Sequence, residues 1–367
     1  MSTALAPDDV VATHTAAAAH ERDPLVVTEP LLAFLVEHGL VPASTGELAV
    51  ESLGEGHSNV TLLLRCAGRE LVLRRPPRGP LPPSAHDVLR EARLLRALAP
   101  TAARVPTVLA VGDDPALIGA PFYVMERVAG DVVTASVPAA LDTPAERRRI
   151  GEELVDALVE VHAVDWRGGG LADFSPRPDG YLERQLRRFG GLWERHRTRD
   201  LPAVERVAAW LGEHRPASPA PTIVHGDYRL GNVMLAPGAG GRARIAAVFD
   251  WEMAAIGDPL ADVGYLSAMW VQHDDPPLGM FELSGVTRGE GFPTREDLVR
   301  RYEQRSGRSV TDIRWYRTLA LWKAVVFMEG NYRRALAGST DDPWLHGFGE
   351  GVAALAERAE RMALDST

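Results

Sequence analysis

The spacing of apolar residues changes about one third of the way along the chain, from the pattern of strands to that of helices. Before residue 127, short apolar runs are separated by glycine, proline or polar turns, which is typical of β-strands. These runs lie at 47–53, Val60–Arg65, Glu70–Arg75, Thr107–Val111 and Pro121–Glu126. Two helices are predicted beside them: a short one capped by Thr28, and a main one from Ser84 to about Ala99, where Asp87 completes a variant capping box.

From Thr143 onward, the apolar residues recur at the period of amphipathic helices. The predicted helices are Thr143–Val164, Tyr181–Arg195, Ala203–Glu213, Asp258–Trp270, Arg295–Ser306, Thr311–Leu336 and Gly351–Met362. This order predicts an α+β fold of two lobes, a small β-rich N-lobe and a larger, mainly helical C-lobe. The expected divisions are a poorly ordered tail over 1–25, the N-lobe over 26–126, a hinge over 127–131 and the C-lobe over 132–367.

Composition narrows the classes of protein to consider. The 367 residues carry a net charge of −10, which argues against nucleic-acid binding as the main role. No apolar run approaches the ~20 residues of a membrane span, and no signal peptide is visible. The single cysteine, Cys66, excludes an internal disulfide framework. We therefore expect a cytoplasmic protein without membrane or nucleic-acid partners; the sequence does not indicate its oligomeric state.

The most informative polar residues follow the apolar pair Ile223-Val224. Asp227 lies two residues after His225, and Asn232 follows five residues later, before another apolar run. A carboxylate in such a loop can accept the proton of a hydroxyl group, and a carboxamide can offer a neutral oxygen to a hard cation. The catalytic loop of kinases has the same spacing of His, Asp and Asn.

A second acidic site follows at Asp250. The glycine-rich segment 238–241 predicts a turn, so that residues 232–250 form a hairpin. Its second strand would bring Asp250 back beside Asn232, where the metal-binding aspartate of a kinase stands. Either aspartate alone is typical of a turn or a helix cap. Taken together, His225, Asp227, Asn232 and Asp250 point to one catalytic site.

The two stretches HGDYRLGNVM and VFDWEMAAIGDPLADVGYL resemble the aminoglycoside phosphotransferase-like family of small-molecule kinases. They look most like its branch in the kinase-like part of acyl-CoA dehydrogenase fusion proteins, over about residues 30–340. The resemblance implies the two-lobe fold of protein kinases, with ATP between the lobes. It also implies that Asp227 is the catalytic base, that Asn232 and Asp250 bind Mg²⁺, and that Asp262 is a buried anchor of the catalytic loop.

The N-lobe motifs are looser. Leu71-Val72-Leu73-Arg74 has the form of the kinase V-A-I-K strand, with arginine in place of lysine. Glu91 lies in the apolar stripe of the main helix, needs a partner when buried, and is expected to pair with Arg74 beside the ATP phosphates. Arg75, on the opposite strand face, is the alternative, and both arginines could instead face solvent.

Two further segments complete the expected nucleotide site. Residues Gly54–Asn59 form a glycine-rich turn between strands, in which Ser58 is the candidate for a phosphate hydrogen bond; a plain hairpin would have the same pattern. Residues 122–130 resemble the hinge of the family, with backbone groups near Glu126 and Val128 holding the adenine.

These features favour an ATP- and Mg²⁺-dependent phosphotransferase that acts on a hydroxyl group of a small molecule. A nucleotide-binding pseudokinase is the alternative from another class, because the lysine is missing. A protein kinase is disfavoured: no A-P-E segment follows Asp250.

The segments expected to form the acceptor side carry net charges of +3 (residues 181–215) and +2 (residues 265–340). This balance favours an anionic acceptor, such as a hydroxyacyl-CoA, over an aminoglycoside, although solvated helix faces would give the same balance.

Overall fold

The computed structural model describes residues 5–54, 59–79, 86–175, 177–277, 282–338 and 343–364. The chain divides into two compact units. The smaller contains the residues up to Thr101 together with Val105–Ala129, and the larger contains Ala102–Arg104 and the residues from Gly130 onward. The division after Ala129 lies within residues 127–131, which were expected to connect the lobes.

The smaller unit is built on an antiparallel sheet of five strands. The strands are β3 (Ala49–Ser52), β4 (Val60–Cys66), β5 (Arg69–Arg75), β6 (Val108–Gly112) and β7 (Phe122–Glu126), in the spatial order β3-β4-β5-β7-β6. A separate parallel pair consists of β1 (Val10–Val11) and β2 (Val26–Val27). The helices of the smaller unit are α1 (His14–Ala17), α2 (Thr28–Glu37) and α3 (Val88–Leu98).

Side chains of β5 alternate between the two faces of this sheet. Leu71 and Leu73 belong to the apolar core that includes Leu31 and Leu35 of α2. Because successive strand residues point to opposite faces, Val72 and Arg74 lie on the other face. The alternation therefore fixes the face from which the Arg74 side chain projects.

Three sequence predictions for the smaller unit need correction. Residues 5–25, expected to be a poorly ordered tail, contain β1 and α1 and are held by the carboxylate of Asp9, which accepts hydrogen bonds from Arg22 and Arg78. Helix α2 begins without a side-chain cap from Thr28. The cap of α3 is Asp87, whose Oδ1 accepts the backbone N–H of Arg90 at 2.9 Å, and the proposed cap Ser84 lies outside the described residues.

The larger unit combines two small sheets with seven helices in its described residues. One sheet contains β8 (Asp131–Val132), β10 (Val233–Pro237) and β11 (Ala243–Val248); the other pairs β9 (Thr222–Val224) with β12 (Ala255–Gly257). The helices are α4 (Pro144–His162), α5 (Tyr181–His196), α6 (Pro202–Glu213), α7 (Leu260–Met269), α8 (Arg295–Ser306), α9 (Ile313–Leu336) and α10 (Phe348–Leu364). Helix α9 is the centre of this unit and packs against α5, α6, α7 and α10.

A short excursion of the chain, residues 102–104, belongs to the larger unit although we expected it in the N-lobe. The guanidinium group of Arg104 donates hydrogen bonds to Glu153 at 2.6 Å and to Glu160 at 2.7 and 2.8 Å, both on α4. It also donates to the carbonyl of Ile245 on β11. The acidic partners raise the pKa of Arg104 although burial opposes its charge, so the side chain is a permanent cation in the network.

No helix in the described part of the chain is long and apolar enough to cross a lipid bilayer.

Candidate active site

The loop after β9 is held by the buried ring of His225. Its Nδ1 accepts the backbone N–H of Asp227 at 3.2 Å, and its Nε2 lies 2.8 Å from the carbonyl oxygen of Phe249. Nδ1 must accept a hydrogen bond from an N–H group, and Nε2 must donate one to a carbonyl oxygen. These two partners indicate a neutral ring with its proton on Nε2. His225 is fully buried and thus acts as a fixed support beneath Asp227.

Asp262 on α7 anchors the same loop from below, as the resemblance implied. Its carboxylate accepts the backbone N–H groups of His225 at 2.7 Å and Gly226 at 2.8 Å. His162 completes the set with Nε2 at 3.2 Å, and Nδ1 of His162 lies 2.8 Å from the hydroxyl of Tyr302. Burial alone would raise the pKa of Asp262, but these partners hold it below its ordinary value of 3.8, so the anchor is an anion at neutral pH.

Asp227, Asn232 and Asp250 are brought to one place by hydrogen bonds within the larger unit. Nδ2 of Asn232 donates to the carbonyl oxygen of Asp227 at 2.9 Å and to its carboxylate at 2.8 Å. The backbone N–H of Phe249 donates to the carbonyl oxygen of Asn232 at 2.9 Å, which places Asp250 next along the chain. The hairpin predicted over 232–250 is present, with Val233 opposite Val248.

The backbone at Asp250 is left-handed, with φ of 64°. Such a conformation is uncommon for residues other than glycine, although aspartate tolerates it better than most. It occurs where β11 ends and a short 3₁₀ helix, Trp251–Met253, begins. The turn therefore ends the strand abruptly at the candidate metal ligand.

Two neighbours of Asp227 were missed in the sequence. Nε of Arg229 lies 3.6 Å from the carboxylate of Asp227, and the hydroxyl of Tyr265 forms a hydrogen bond with it. Burial and the charge of Asp227 raise the pKa of Tyr265 well above 10, so the phenol stays protonated and is the donor of this hydrogen bond. The available signal was that Tyr265 follows Asp262 by three residues on α7 and so shares its face.

Arg74 and Glu91, proposed as a pair, are bonded in the smaller unit. Nε of Arg74 donates to Glu91 at 3.0 Å, and the two side chains are 12% and 2% exposed. Nη1 of Arg74 also donates to the hydroxyl of Thr61 on β4 at 3.2 Å. The possibility that Arg74 simply faces solvent is therefore wrong.

Arg75, the alternative to Arg74, is committed elsewhere. Its guanidinium group is buried and donates to the carbonyl oxygens of Leu25, Pro76 and Ile118. Burial, followed by the charge of Arg78, lowers the pKa of Arg75 to about 10. These contacts join three segments of the smaller unit. They exclude Arg75 as a substitute for Arg74 in binding the ATP phosphates.

The expected adenine contacts lie at the end of β7 and beyond it. The backbone N–H of Glu126 donates to the carbonyl oxygen of Thr107 at 3.0 Å, and its side chain accepts two hydrogen bonds from Thr107. That N–H group is therefore used within the smaller unit. Val128 is half-buried and follows the strand. Ser58, the proposed phosphate contact, lies outside the described residues.

A groove of about 750 Å³ lies in the larger unit between α5 and α9. The volume is in the range of sites for small organic ligands. Phe189, Val326 and Phe327 give it an apolar floor, and Met253 lines the end nearest the catalytic loop. Five basic side chains line it as well: Arg188, Arg195, His196, Arg333 and Arg334. Among the residues that the structure describes, its lining contains no aspartate or glutamate.

Residues 49–296 match the model of the phosphotransferase enzyme family, APH. The chain belongs to this family. It is therefore a member of a family of phosphotransferases, and its fold is that of the small-molecule kinases.

Relatives of this phosphotransferase include proteins of much greater length. Acyl-CoA dehydrogenase family member 10 of Mus musculus is 34% identical over 86% of the chain, which spans 29% of that relative. Acyl-CoA dehydrogenase family member 11 of Gallus gallus is 31% identical over 89% of the chain, which spans 42% of it. The chain thus corresponds to less than half the length of these curated relatives.

Solved structures show the same fold over nearly the whole phosphotransferase. A crystal structure from Ralstonia eutropha JMP134, provisionally described as an aminoglycoside phosphotransferase, is 32% identical with a TM-score of 0.77 and covers 92% of this chain and 98% of its own. The GDP and kanamycin complex of APH(2")-IIIa is 18% identical with a TM-score of 0.59, and it covers 89% of this chain and 97% of its own. The second likeness is one of fold alone.

Proposed function

We propose that this phosphotransferase moves the γ-phosphoryl group of ATP to a hydroxyl group of a small molecule, with Asp227 as the base. The observation that carries the proposal is the hydrogen bond of 2.8 Å from Asn232 to the carboxylate of Asp227, flanked by Arg229 and Tyr265. These contacts fix the orientation of one carboxylate oxygen, while 26% of the Asp227 side chain stays exposed to meet an acceptor. Arg74, aimed by Glu91, is proposed to bind the ATP phosphates.

The proposed metal ligands are Asn232 and Asp250, and their chemistry fits Mg²⁺. Nδ2 of Asn232 is committed to Asp227, which leaves its Oδ1 for a cation. One amide oxygen and one carboxylate suit an ion that keeps several waters and takes further oxygens from phosphates. The bound ion would neutralise phosphate charge.

The role of Asp250 predicts a result for nucleotide binding. Addition of Mg²⁺ should increase the rise in Tm that ATP gives in the wild type, since the ion links Asp250 to the phosphates. In Asp250→Ala the rise in Tm with ATP should not respond to Mg²⁺. Differential scanning fluorimetry with and without EDTA measures both. An equal response to Mg²⁺ in the two proteins would remove Asp250 from the metal site.

The proposed acceptor is anionic, with a hydroxyacyl-CoA as the model compound. The segments 181–215 and 265–340 contribute +5 to a chain whose total charge is −10, so the remainder carries −15. Apart from Met253, the residues that line the basic groove between α5 and α9 belong to these segments, and the groove has an apolar floor. Such a surface attracts anions and repels the polycationic aminoglycosides.

A competition assay tests the class of acceptor. Kanamycin and a hydroxyacyl-CoA, offered at equal concentration with limiting ATP and Mg²⁺, are expected to yield phosphorylated CoA ester. Mass spectrometry of the products identifies which compound received the phosphoryl group. Phosphorylation of kanamycin with none of the CoA ester would overturn the argument from charge.

A nucleotide-binding protein without turnover is the second candidate, because Arg74 stands where the family resemblance expects lysine. Arginine and lysine bind phosphates with different geometry. A screen of hydroxylated metabolites for ADP release separates the candidates: ADP release with any acceptor supports the enzyme, and ATP binding without ADP release throughout supports the second.

A further inference from the structure

Lys323 is the only lysine of the chain and stands beside the groove between α5 and α9. It precedes Val326, Phe327 and Gly330 by three, four and seven residues, the spacing of one helical face, and all three line the groove. Nζ of Lys323 lies 4.8 Å from the ring centroid of Phe189, which forms part of the groove floor. The ammonium group of Lys323 therefore packs against a ring that lines the groove.

The ammonium group of Lys323 is partly buried and has no anionic partner in contact. Among the described residues, its assigned contact is the face of Phe189, and it makes neither a hydrogen bond nor an ion pair. The charged groups around it come from three elements: Arg188 on α5, Asp227 in the catalytic loop and Asp262 on α7. Burial, with the charge of Arg188, lowers the pKa of Lys323 to about 8 although both aspartates oppose the shift. An anion in the groove would supply the missing partner.

The groove extends toward the catalytic loop. Met253 lines its end, and a Cβ atom at Gly226 would stand 2.8 Å from the carbonyl oxygen of Met253. Gly226 immediately precedes Asp227. At the same time, the guanidinium groups of Arg188 and Arg195 have no carboxylate partner within the described ranges. The groove thus borders the catalytic loop at Gly226, and the negative charge of a ligand in it would be met by these cations.

We propose that Lys323 binds an anionic group of the acceptor, a carboxylate or a phosphate, and so holds the acceptor hydroxyl at Asp227. The inference rests on the proposed phosphoryl transfer and adds the residue that selects the acceptor. The apolar floor accommodates a short hydrocarbon segment between the anionic group and the hydroxyl. Arg188 and Arg195 provide further cations for an acceptor with several negative charges, such as a CoA ester.

The single lysine makes a direct binding test possible. Reductive methylation with ¹³C-formaldehyde labels Lys323 and the N-terminal amine, so one side-chain methyl signal reports the state of Lys323 by NMR. The probes are 3-hydroxybutyrate, coenzyme A, 3-hydroxybutyryl-CoA and kanamycin, each added without ATP. We expect the ester or the free acid to shift the Lys323 signal and raise its pKa, and kanamycin to leave both unchanged. The free acid and coenzyme A distinguish a carboxylate from a phosphate partner. Absence of a shift with all three anionic probes would overturn the proposal.

Variants separate charge from packing. In Lys323→Met, which keeps the aliphatic stem against Phe189, the Kd of the probe that shifts the wild-type signal should rise about tenfold, equivalent to ~1.4 kcal/mol. Wild-type affinity should fall as the pH rises through about 8, where Lys323 loses its charge, and Lys323→Arg should remove this dependence. Arg187→Met, an exposed cation of α5 paired with Glu183, is the matched control and should bind normally. Equal affinity in Lys323→Met and the wild type would contradict the role of Lys323.

The two proposals fail in different ways. Probe binding that depends on Lys323, without phosphoryl transfer to any acceptor, would leave the binding role intact and refute the proposed function. Phosphoryl transfer to the probe with the same acceptor KM in the wild type and Lys323→Met would refute the role of Lys323 and leave the proposed function intact.

Discussion

Asp227→Asn is expected to reduce turnover by at least about 10²-fold, the lower end of general-base effects. The amide cannot take the proton of the acceptor hydroxyl, whereas its size preserves the loop. ATP binding should change little, because the base contacts the acceptor and the proposed nucleotide ligands are other residues. Turnover is measured as ADP release with an accepted substrate, and ATP affinity by the rise in Tm. Turnover above about a tenth of the wild-type rate would exclude Asp227 as the base.

The control for this substitution is Asp274→Asn, which removes an exposed carboxylate from the same unit. It should leave turnover and Tm at wild-type values. A loss of turnover in both variants would indicate an effect of net charge. A fall in Tm confined to Asp227→Asn would instead indicate that the bond from Asn232 to Asp227 supports the loop itself.

Asp262→Asn is expected to lower the free energy of unfolding by ~3–5 kcal/mol, the usual cost of breaking a buried charged network. The amide would direct N–H groups at the backbone N–H groups of His225 or Gly226, where the carboxylate accepts two hydrogen bonds. Turnover should also fall steeply at temperatures where the variant remains folded. Urea unfolding and ADP release measure the two effects. A loss below ~1 kcal/mol would mean that Asp262 does not anchor the loop.

Asp258→Asn provides a matched buried carboxylate four residues away. Asp258 accepts hydrogen bonds from the hydroxyl of Tyr316 and the backbone N–H of Leu260, at 2.8 and 2.9 Å; in the part of the chain that the structure describes, it makes no hydrogen bond to the catalytic loop. Its substitution should lower stability while sparing turnover of the folded protein. The stabilisation that Asp262 provides also depends on pH. Because the pKa of Asp262 in the folded state lies below 3.8, its stabilisation is complete at neutral pH and is lost as the pH falls through that depressed value.

Sequence reasoning was most successful where the signal was local. The hairpin over 232–250 follows from alternation and a glycine-rich turn, and the pairing of Arg74 with Glu91 follows from strand and helix periodicity. Contacts between distant segments left no such signal. Tyr265 meets Asp227 across 38 positions of the chain only because Asp262 holds the start of the loop against α7. The first 25 residues are rich in Ala, Thr and Asp and have no clear apolar period, yet in the described part, 5–25, Arg22 and Arg78 both donate hydrogen bonds to the carboxylate of Asp9.

The excursion of residues 102–104 means that the two units are not successive stretches of chain. The polypeptide passes between them after Thr101, after Arg104 and after Ala129. A fragment starting at Gly130 would lack the guanidinium group that joins Glu153 to Glu160, and the N–H of Val248 would lose the carbonyl oxygen of Arg104, 2.7 Å away. The larger unit is therefore a poor candidate for expression by itself.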